Sequence, residues 1–308
     1  MYMNILFAGT PENSSKILKS LINMKNITVK GVITQPDKRG KRGSKLNESF
    51  VSKVAKESSI PIFKENDLNS KEFKDNINKL DVDLLLVVAF GEIIPDWLLS
   101  KPNLMPINIH FSLLPKYRGA SPIQSSLING DIETGITFIK MNASLDAGQT
   151  IASFKCNILE NDNKISLEKK LTELSIEKLN EVLINVESNN FSLLFQDEAA
   201  ASYCKKINKA DGFINFDQSS KLIYNSFRAY KEWPETTFEY KNKLIKIHGL
   251  YISGKQSEGD PGTIAFFDKT GIYLNTIDLM IVITHLQFPN KKSISSIDAF
   301  NSYKDFFS

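Results

Sequence analysis

The sequence predicts an α/β protein: an open, mostly parallel sheet wound on both sides, followed by a smaller β-barrel domain. Three observations predict it. Strand-like and helix-like runs alternate through the first half. Residues 83–89, with Leu84, Leu85, Leu86, Val87 and Val88, are apolar on both faces, as the centre of a parallel sheet reads. After about residue 188 the pattern changes to short strand-like runs broken by Gly, Asp and Pro turns.

The elements follow in order. Residues 3–8 read as a short buried strand. Gly9-Thr10-Pro11 turns it into an amphipathic segment with Ile17, Leu18, Leu21 and Ile22 at helical spacing. A β-rich run covers 27–34, a helix about 48–57 (Phe50, Val51, Val54, Ala55 on one face), a short strand 60–63 and a polar helix about 69–79. Beyond the central strand, another strand covers about 105–110, and Ser121-Pro122 has the cap-then-proline pattern of a helix start. Strands near 134–140 and 149–157 precede a long helix at about 165–187, with Leu167, Leu171, Leu174, Val182 and Val186 on one stripe. Residues 1–188 are expected to form one domain and 189–207, polar and partly basic, a linker. Residues 208–308 form the second domain, with strand-like runs near 236–240, 244–251, 262–267, 271–274 and 279–288.

Composition narrows the function. The 308 residues carry 42% hydrophobic and 24% charged side chains, the balance of a soluble globular protein. The net charge is only +3, so any nucleic-acid contact has to come from a local patch. No run reaches the roughly 18 apolar residues of a membrane span, and the first residues lack the basic start and cleavage site of a signal peptide. A cytoplasmic monomer is expected, with no membrane or protein partner. Cys156 and Cys204 match no metal spacing and are expected to be buried thiols in a reducing compartment. The three histidines do not cluster, so no metal site is expected, and His248 and His285 read as structural. Gly9 is followed by Thr10 and Pro11, which removes the Gly-x-Gly-x-x-Gly cradle of a dinucleotide-dependent oxidoreductase.

Chemistry concentrates in residues 106–122, Pro-Ile-Asn-Ile-His-Phe-Ser-Leu-Leu-Pro-Lys-Tyr-Arg-Gly-Ala-Ser-Pro. Alternate residues of a strand share a face, so Asn108 and His110 point the same way. They sit at the carboxyl end of the strand, where open α/β sheets place their ligands. An amide beside an imidazole offers hydrogen-bond donors to an oxyanion and a group able to carry a proton. A lone histidine could equally satisfy a core hydrogen bond.

The stretch resembles the signature of the folate-dependent formyltransferases: Asn-x-His, Ser-Leu-Leu-Pro, then Tyr-Arg-Gly-Ala. The family's later aspartate has its counterpart in Leu145-Asp146-Ala147-Gly148, after Thr134-Gly135-Ile136-Thr137. Further matches are Arg228-Ala229-Tyr230-Lys231-Glu232-Trp233-Pro234 and Pro261-Gly262-Thr263-Ile264, so the resemblance spans nearly the whole chain. It implies a Rossmann-like catalytic domain, an OB-like second domain and 10-formyltetrahydrofolate as formyl donor. Asn108, His110 and Asp146 match the catalytic trio. Asn108 and His110 would stabilise a tetrahedral intermediate, while Asp146 would hold the imidazole and help move the amine's proton, directly or through water. Ser112, Leu113, Leu114 and Pro115 match the folate-contacting segment, and the loop with Phe90, Gly91, Ile93 and Ile94 matches the one that lines the pterin. Two departures stand out: Phe111 replaces a usual glycine, and Glu12-Asn13-Ser14-Ser15 is more polar than expected.

The trio does not choose the acceptor. Relatives formylate a purine-pathway amine or an amino-sugar nucleotide, or hydrolyse formylfolate, and a tRNA-binding module without catalysis is a further reading. Three features resemble the branch that formylates initiator methionyl-tRNA: Gly9-Thr10-Pro11 paired with Thr34-Gln35-Pro36-Asp37, the added β domain, and a basic loop. That loop holds Lys38, Arg39, Lys41, Arg42 and Lys45, with no apolar residue before Leu46. It is expected to be exposed and mobile, neutralising phosphates and stacking near bases at the tRNA acceptor arm.

Overall fold

The computed structural model describes residues 2–39 and 46–307. They divide into two compact units, 1–122 with 133–157 and 168–204, and 123–132 with 158–167 and 205–308.

The first unit opens with β1 (Met3–Gly9), α1 (Glu12–Ile22) and β2 (Ile27–Ile33). The two-residue strands β3 (Lys38–Arg39) and β4 (Leu46–Asn47) pair antiparallel. Then come α2 (Phe50–Glu57), β5 (Ile62–Phe63), α3 (Lys71–Asn78) and β6 (Leu84–Val88). α4 (Asp96–Leu99), β7 (Met105–His110), β8 (Arg118–Gly119), α5 (Pro122–Ile128), β9 (Glu133–Lys140), β10 (Gln149–Asn157), α6 (Lys164–Glu187) and β11 (Tyr203–Cys204) complete the run; of these, α5 from Ile123 on and the first turn of α6, through Leu167, belong to the second unit. Ser49 and Ser70 cap α2 and α3 by accepting from Ser52 N and Phe73 N.

The seven-stranded sheet runs β10-β9-β7-β6-β1-β2-β5. Strands β5 to β7 are parallel, and β9 and β10 are antiparallel, which agrees with the expected mostly parallel sheet. The chain leaves β1 towards β2 and returns on its other side as β6. The strand order therefore reverses between β1 and β6, and open α/β sheets take their ligands outside the carboxyl ends of the strands at such a point. Thr10 after β1 donates its hydroxyl to Phe90 O after β6 at 3.0 Å, joining the two loops there. The strands of the centre are fully buried: Leu6, Leu84, Leu85, Leu86 and Ile107 have no exposed surface.

The polar start of α1 has a plain account. Ser14 donates to Val88 O at 2.6 Å, Ser15 to Glu12 O at 2.7 Å, and Asn13 to Glu168 at 3.2 Å. These buried polar groups are satisfied, so small polar side chains cost little where the helix meets the sheet. The stripe of α6 runs through Leu167, Leu171, Leu179, Val182 and Val186, but Leu174 is only half-buried. Ser175 takes its place inside and bonds Leu171 O at 2.7 Å.

The second unit carries α7 (Ser220–Ala229), β12 (Thr236–Tyr240), β13 (Lys243–Gln256), β14 (Ile264–Phe267), β15 (Ile272–Leu274), β16 (Leu279–Gln287), β17 (Ile294–Ser295) and α8 (Ser296–Phe307). Its six strands pair antiparallel in the order β12-β13-β16-β15-β14, with β17 on β16. Phe238, Ile245, Ile272, Leu274, Ile281, Ile283 and Leu286 fill its core together with Ile223 of α7 and Phe307 of α8. The two helices were not anticipated from sequence; they close the core beside an otherwise β-only pattern. No helix of the described residues is long and apolar enough to cross a membrane.

Candidate active site

β7 delivers the amide and the imidazole. Its pleat places Asn108 and His110 on one face, and the neighbours fix their level: Asn108 lies opposite Val87 of β6 and Ile139 of β9, His110 opposite Thr137. Asp146 enters from the turn between β9 and β10. Asn108 Nδ2 donates to Asp146 Oδ1 at 3.2 Å, and His110 Nδ1 lies 3.6 Å from Asp146 Oδ2. The structure therefore brings the three groups to one point. Asn108 and His110 are buried, while the Asp146 side chain keeps 13% of its surface open.

The imidazole is held differently from the sequence expectation. Its hydrogen bond goes to the Tyr117 carbonyl, 2.8 Å from Nε2. A carbonyl only accepts, so Nε2 carries the hydrogen and, in the neutral ring, Nδ1 carries the lone pair. Asp146 faces that nitrogen at ion-pair rather than hydrogen-bond distance. The ring is anchored on one side and turns its other nitrogen towards a carboxylate.

Asp146 is itself gripped at several atoms. Gly119 N donates to Oδ2 at 2.8 Å. Gln196 Nε2 donates to the Asp146 carbonyl at 2.8 Å and the Gly148 carbonyl at 2.7 Å. Asp146 adopts φ 50°, a left-handed conformation that costs a non-glycine residue on the order of 1 kcal/mol and persists only where its surroundings impose it. Gly119 is required by its place: φ is 118°, and a Cβ there would sit 2.4 Å from Cys204 O. That contact arises because β11 pairs with β8 in parallel, while Arg118 N and Tyr117 N donate to Ser202 O and Oγ.

Arg118, 1% exposed, organises this support. Nε donates to Gln196 Oε1 at 3.0 Å, Nη1 to Glu198 Oε2 at 2.9 Å and Tyr203 Oη at 3.1 Å, and Nη2 to Glu198 Oε1 at 2.7 Å. The paired Arg118 guanidinium holds the Glu198 carboxyl below the usual carboxylate range, and that carboxylate raises the arginine further above its own.

Comparison with known sequences fits this geometry. The family model described as Formyl transferase matches residues 3–183, and the one described as Formyl transferase, C-terminal domain, matches 206–304. The chain belongs to the formyl transferase family. It is thus an enzyme of one-carbon formyl transfer. It is 39% identical over 304 residues to a methionyl-tRNA formyltransferase of Sulfurihydrogenibium sp. (strain YO3AOP1), covering 98% of this chain and 97% of that one. A methionyl-tRNA formyltransferase of Clostridioides difficile (strain 630) is 39% identical over 290 residues, covering 94% of each. Among solved structures, WlaRD, a sugar 3N-formyl transferase, superimposes with TM-score 0.69 at 22% identity over 95% of this chain and all of that one. The N-formyltransferase from Helicobacter canadensis does so with TM-score 0.67 at 20% identity, over 93% and 100%. At that identity the likeness is one of fold.

The segments that the family resemblance ties to folate follow the carboxyl ends of β7 and β6. Ser112 is fully buried and donates to Lys116 O, and Thr137 Oγ1 joins the segment by donating to Ser112 O and accepting from Leu114 N. Leu113, Leu114 and Pro115 are half-buried, with Leu113 against Gly135. In the other loop the side chains divide. Phe90 and Ile94 are committed to the core with Leu85, Trp97 and Leu98, whereas Ile93 is 89% exposed. Gly91, at φ 85°, turns the chain, and Gln35 and Thr10 both donate to Phe90 O. What this loop turns outward is Gly91, Glu92 and Ile93. Phe111 is buried.

Of the basic loop, Lys38 and Arg39 belong to β3, paired with Asn47 and Leu46, and Lys41, Arg42 and Lys45 lie outside the described residues. Its base is tied by Lys64 to Asp37 at 2.8 Å and by Thr34 to Ser49 at 2.8 Å. Among the described residues no group of three or more His, Cys, Asp or Glu is arranged to hold a metal. His248 bonds Gln287 and His285 lies beside Thr284. Cys156 and Cys204 are free and only half-buried, contrary to the expectation of full burial, because each sits on an outer strand, β10 or β11. Sequence reasoning missed Arg118, Gln196 and Glu198 as part of the site. Arg118 stood inside the recognised Tyr-Arg-Gly-Ala run, but nothing in a polar stretch such as 194–204 announces its partner.

Proposed function

We propose that this chain transfers the formyl group of 10-formyltetrahydrofolate to the amino group of initiator methionyl-tRNA, a step of translation initiation. The observation that carries the reading is the convergence of Asn108, His110 and Asp146 at the carboxyl ends of the central strands. The acceptor is supported by the two relatives, each 39% identical over nearly its full length and each a methionyl-tRNA formyltransferase. The first compact unit, which takes in residues 189–204 of the expected linker, acts as the catalytic part, and 208–308 support the tRNA.

The attacking amine is neutral. Its nitrogen bonds to the formyl carbon while the carbonyl pair moves onto oxygen. Asn108 Nδ2 commits one hydrogen to Asp146 and has a second for that oxygen; such a donor is typically worth about 3 kcal/mol, or a hundredfold in rate. His110 Nδ1, beside the Asp146 carboxylate, takes the proton that the amine must lose. The proton then reaches the departing folate nitrogen as its bond to carbon breaks, so the reaction closes with no net proton released. Ser112, Leu113, Leu114, Pro115 and the loop of Phe90, Gly91, Ile93 and Ile94 hold the donor, the last through backbone groups and Ile93. Lys38, Arg39, Lys41, Arg42 and Lys45 take phosphates of the acceptor arm.

The test is to incubate the purified protein with formyl-labelled 10-formyltetrahydrofolate and methionyl-tRNA, an amino-sugar nucleotide, or no amine. Label is expected on methionyl-tRNA. Label on the sugar nucleotide alone, or formate released equally without any amine, would replace the reading.

A further inference from the structure

We infer that Gln196 is a positioning residue for formyl transfer: it sets the Asp146 carboxylate against His110 and Asn108, and Arg118 with Glu198 sets Gln196. The inference rests on the reading that Asp146 serves the reaction.

Gln196 has one amide and uses all of it. Both amide hydrogens cross the turn, to the carbonyls of Asp146 and Gly148, at 2.8 and 2.7 Å. The amide oxygen accepts from Arg118 Nε at 3.0 Å. Only this orientation works, since a reversed amide would set oxygen against two carbonyls and hydrogens against an N–H. The turn it spans contains the left-handed Asp146 (φ 50°), a conformation that needs outside support.

Arg118 reaches Asp146 from two directions. The next residue along its backbone, Gly119, donates to the carboxylate at 2.8 Å, while its side chain acts through Gln196 on the peptide that carries that carboxylate. The guanidinium cannot drift, because Glu198 engages it with both oxygens and Tyr203 Oη accepts from it as well. Glu198 is itself 70% exposed, so an exposed anion fixes a buried cation, and the cation fixes a half-buried amide. Simple packing does not require an amide whose two donors both end on the turn of one carboxylate while its acceptor is held by Arg118.

The test is kinetic, on the full-length enzyme. Gln196→Glu keeps an acceptor for Arg118 but removes both donors to the turn; Gln196→Met removes all three bonds at similar size. Each is expected to lower kcat about ten- to a hundredfold, the scale of a misplacement near 1 Å, with KM for donor and for tRNA within about twofold. A single-turnover double-mutant cycle separates positioning from general support. In an Asp146→Asn background Gln196→Glu is expected to cost nothing further. Wild-type kcat in both Gln196 variants, or an equal loss with and without the Asp146 carboxylate, would overturn the inference. Wild-type kcat in Asp146→Asn alone would instead overturn the underlying reading of the site.

Discussion

His110 works between two oxygens of different kinds. The Tyr117 carbonyl takes the Nε2 hydrogen at 2.8 Å, and the Asp146 carboxylate waits 3.6 Å from Nδ1. The first contact fixes the tautomer; the second sets a carboxylate beside Nδ1. Replacing either partner separates the two roles. His110→Ala is expected to lower kcat by about 10²–10⁴-fold, the usual worth of a positioned acid–base group. Asp146→Asn preserves size and is expected to fall in the same range, since an amide offers Nδ1 no negative charge. Filter binding should find tRNA affinity nearly unchanged in both. Turnover within a few-fold of wild type in His110→Ala would remove the imidazole from the reaction.

Elements set these residues, and the two shortest matter most here. β8 and β11 are two residues each, yet their pairing presses Cys204 O against Gly119 and aims the Gly119 N–H at Asp146. Gly119→Ala is expected to move β8 away from β11, because a Cβ would lie 2.4 Å from a carbonyl at φ 118°. Calorimetry should register a stability loss of about 1–3 kcal/mol, with kcat reduced more than KM; an unchanged melting temperature and kcat would refute the strain. Such an element is nearly silent in sequence. The long strands and α6 were legible because burial repeats along them every two or about 3.6 residues, although Ser175 rather than Leu174 faces inward, since its hydroxyl finds Leu171 O within the helix. Asn108, His110 and Asp146 were legible through a dense local motif. Gln196 was not: it acts on backbone carbonyls 48 and 50 residues away, which leave no side-chain pattern. The helices α7 and α8, which bury Ile223 and Ala229, and Ala299 and Phe307, were passed over because strand-like runs dominate the second unit's pattern.

At the scale of the whole molecule, charge is the property that distinguishes a protein-wide field from a local contact. With 38 basic and 35 acidic side chains the net charge is +3, too small to attract a polyanion over distances beyond the screening length of about 8–10 Å in physiological salt. Salt dependence of tRNA binding must then report particular cations. Five lie within residues 38–45, and each that meets a phosphate contributes about 0.7–0.9 to the slope of log affinity against log salt. Replacing Arg39 and Arg42 together with Gln is therefore expected to raise KM for tRNA and flatten that slope by about 1.4–1.8, while KM for the formyl donor stays as it was. The slope, measured between low and physiological salt, is more telling than the affinity itself, because a misfolded loop could weaken binding but would not alter the count of released counterions in that ratio. An unchanged slope in the double variant would place the phosphate contacts elsewhere on the molecule and leave the basic run as a solvated surface segment.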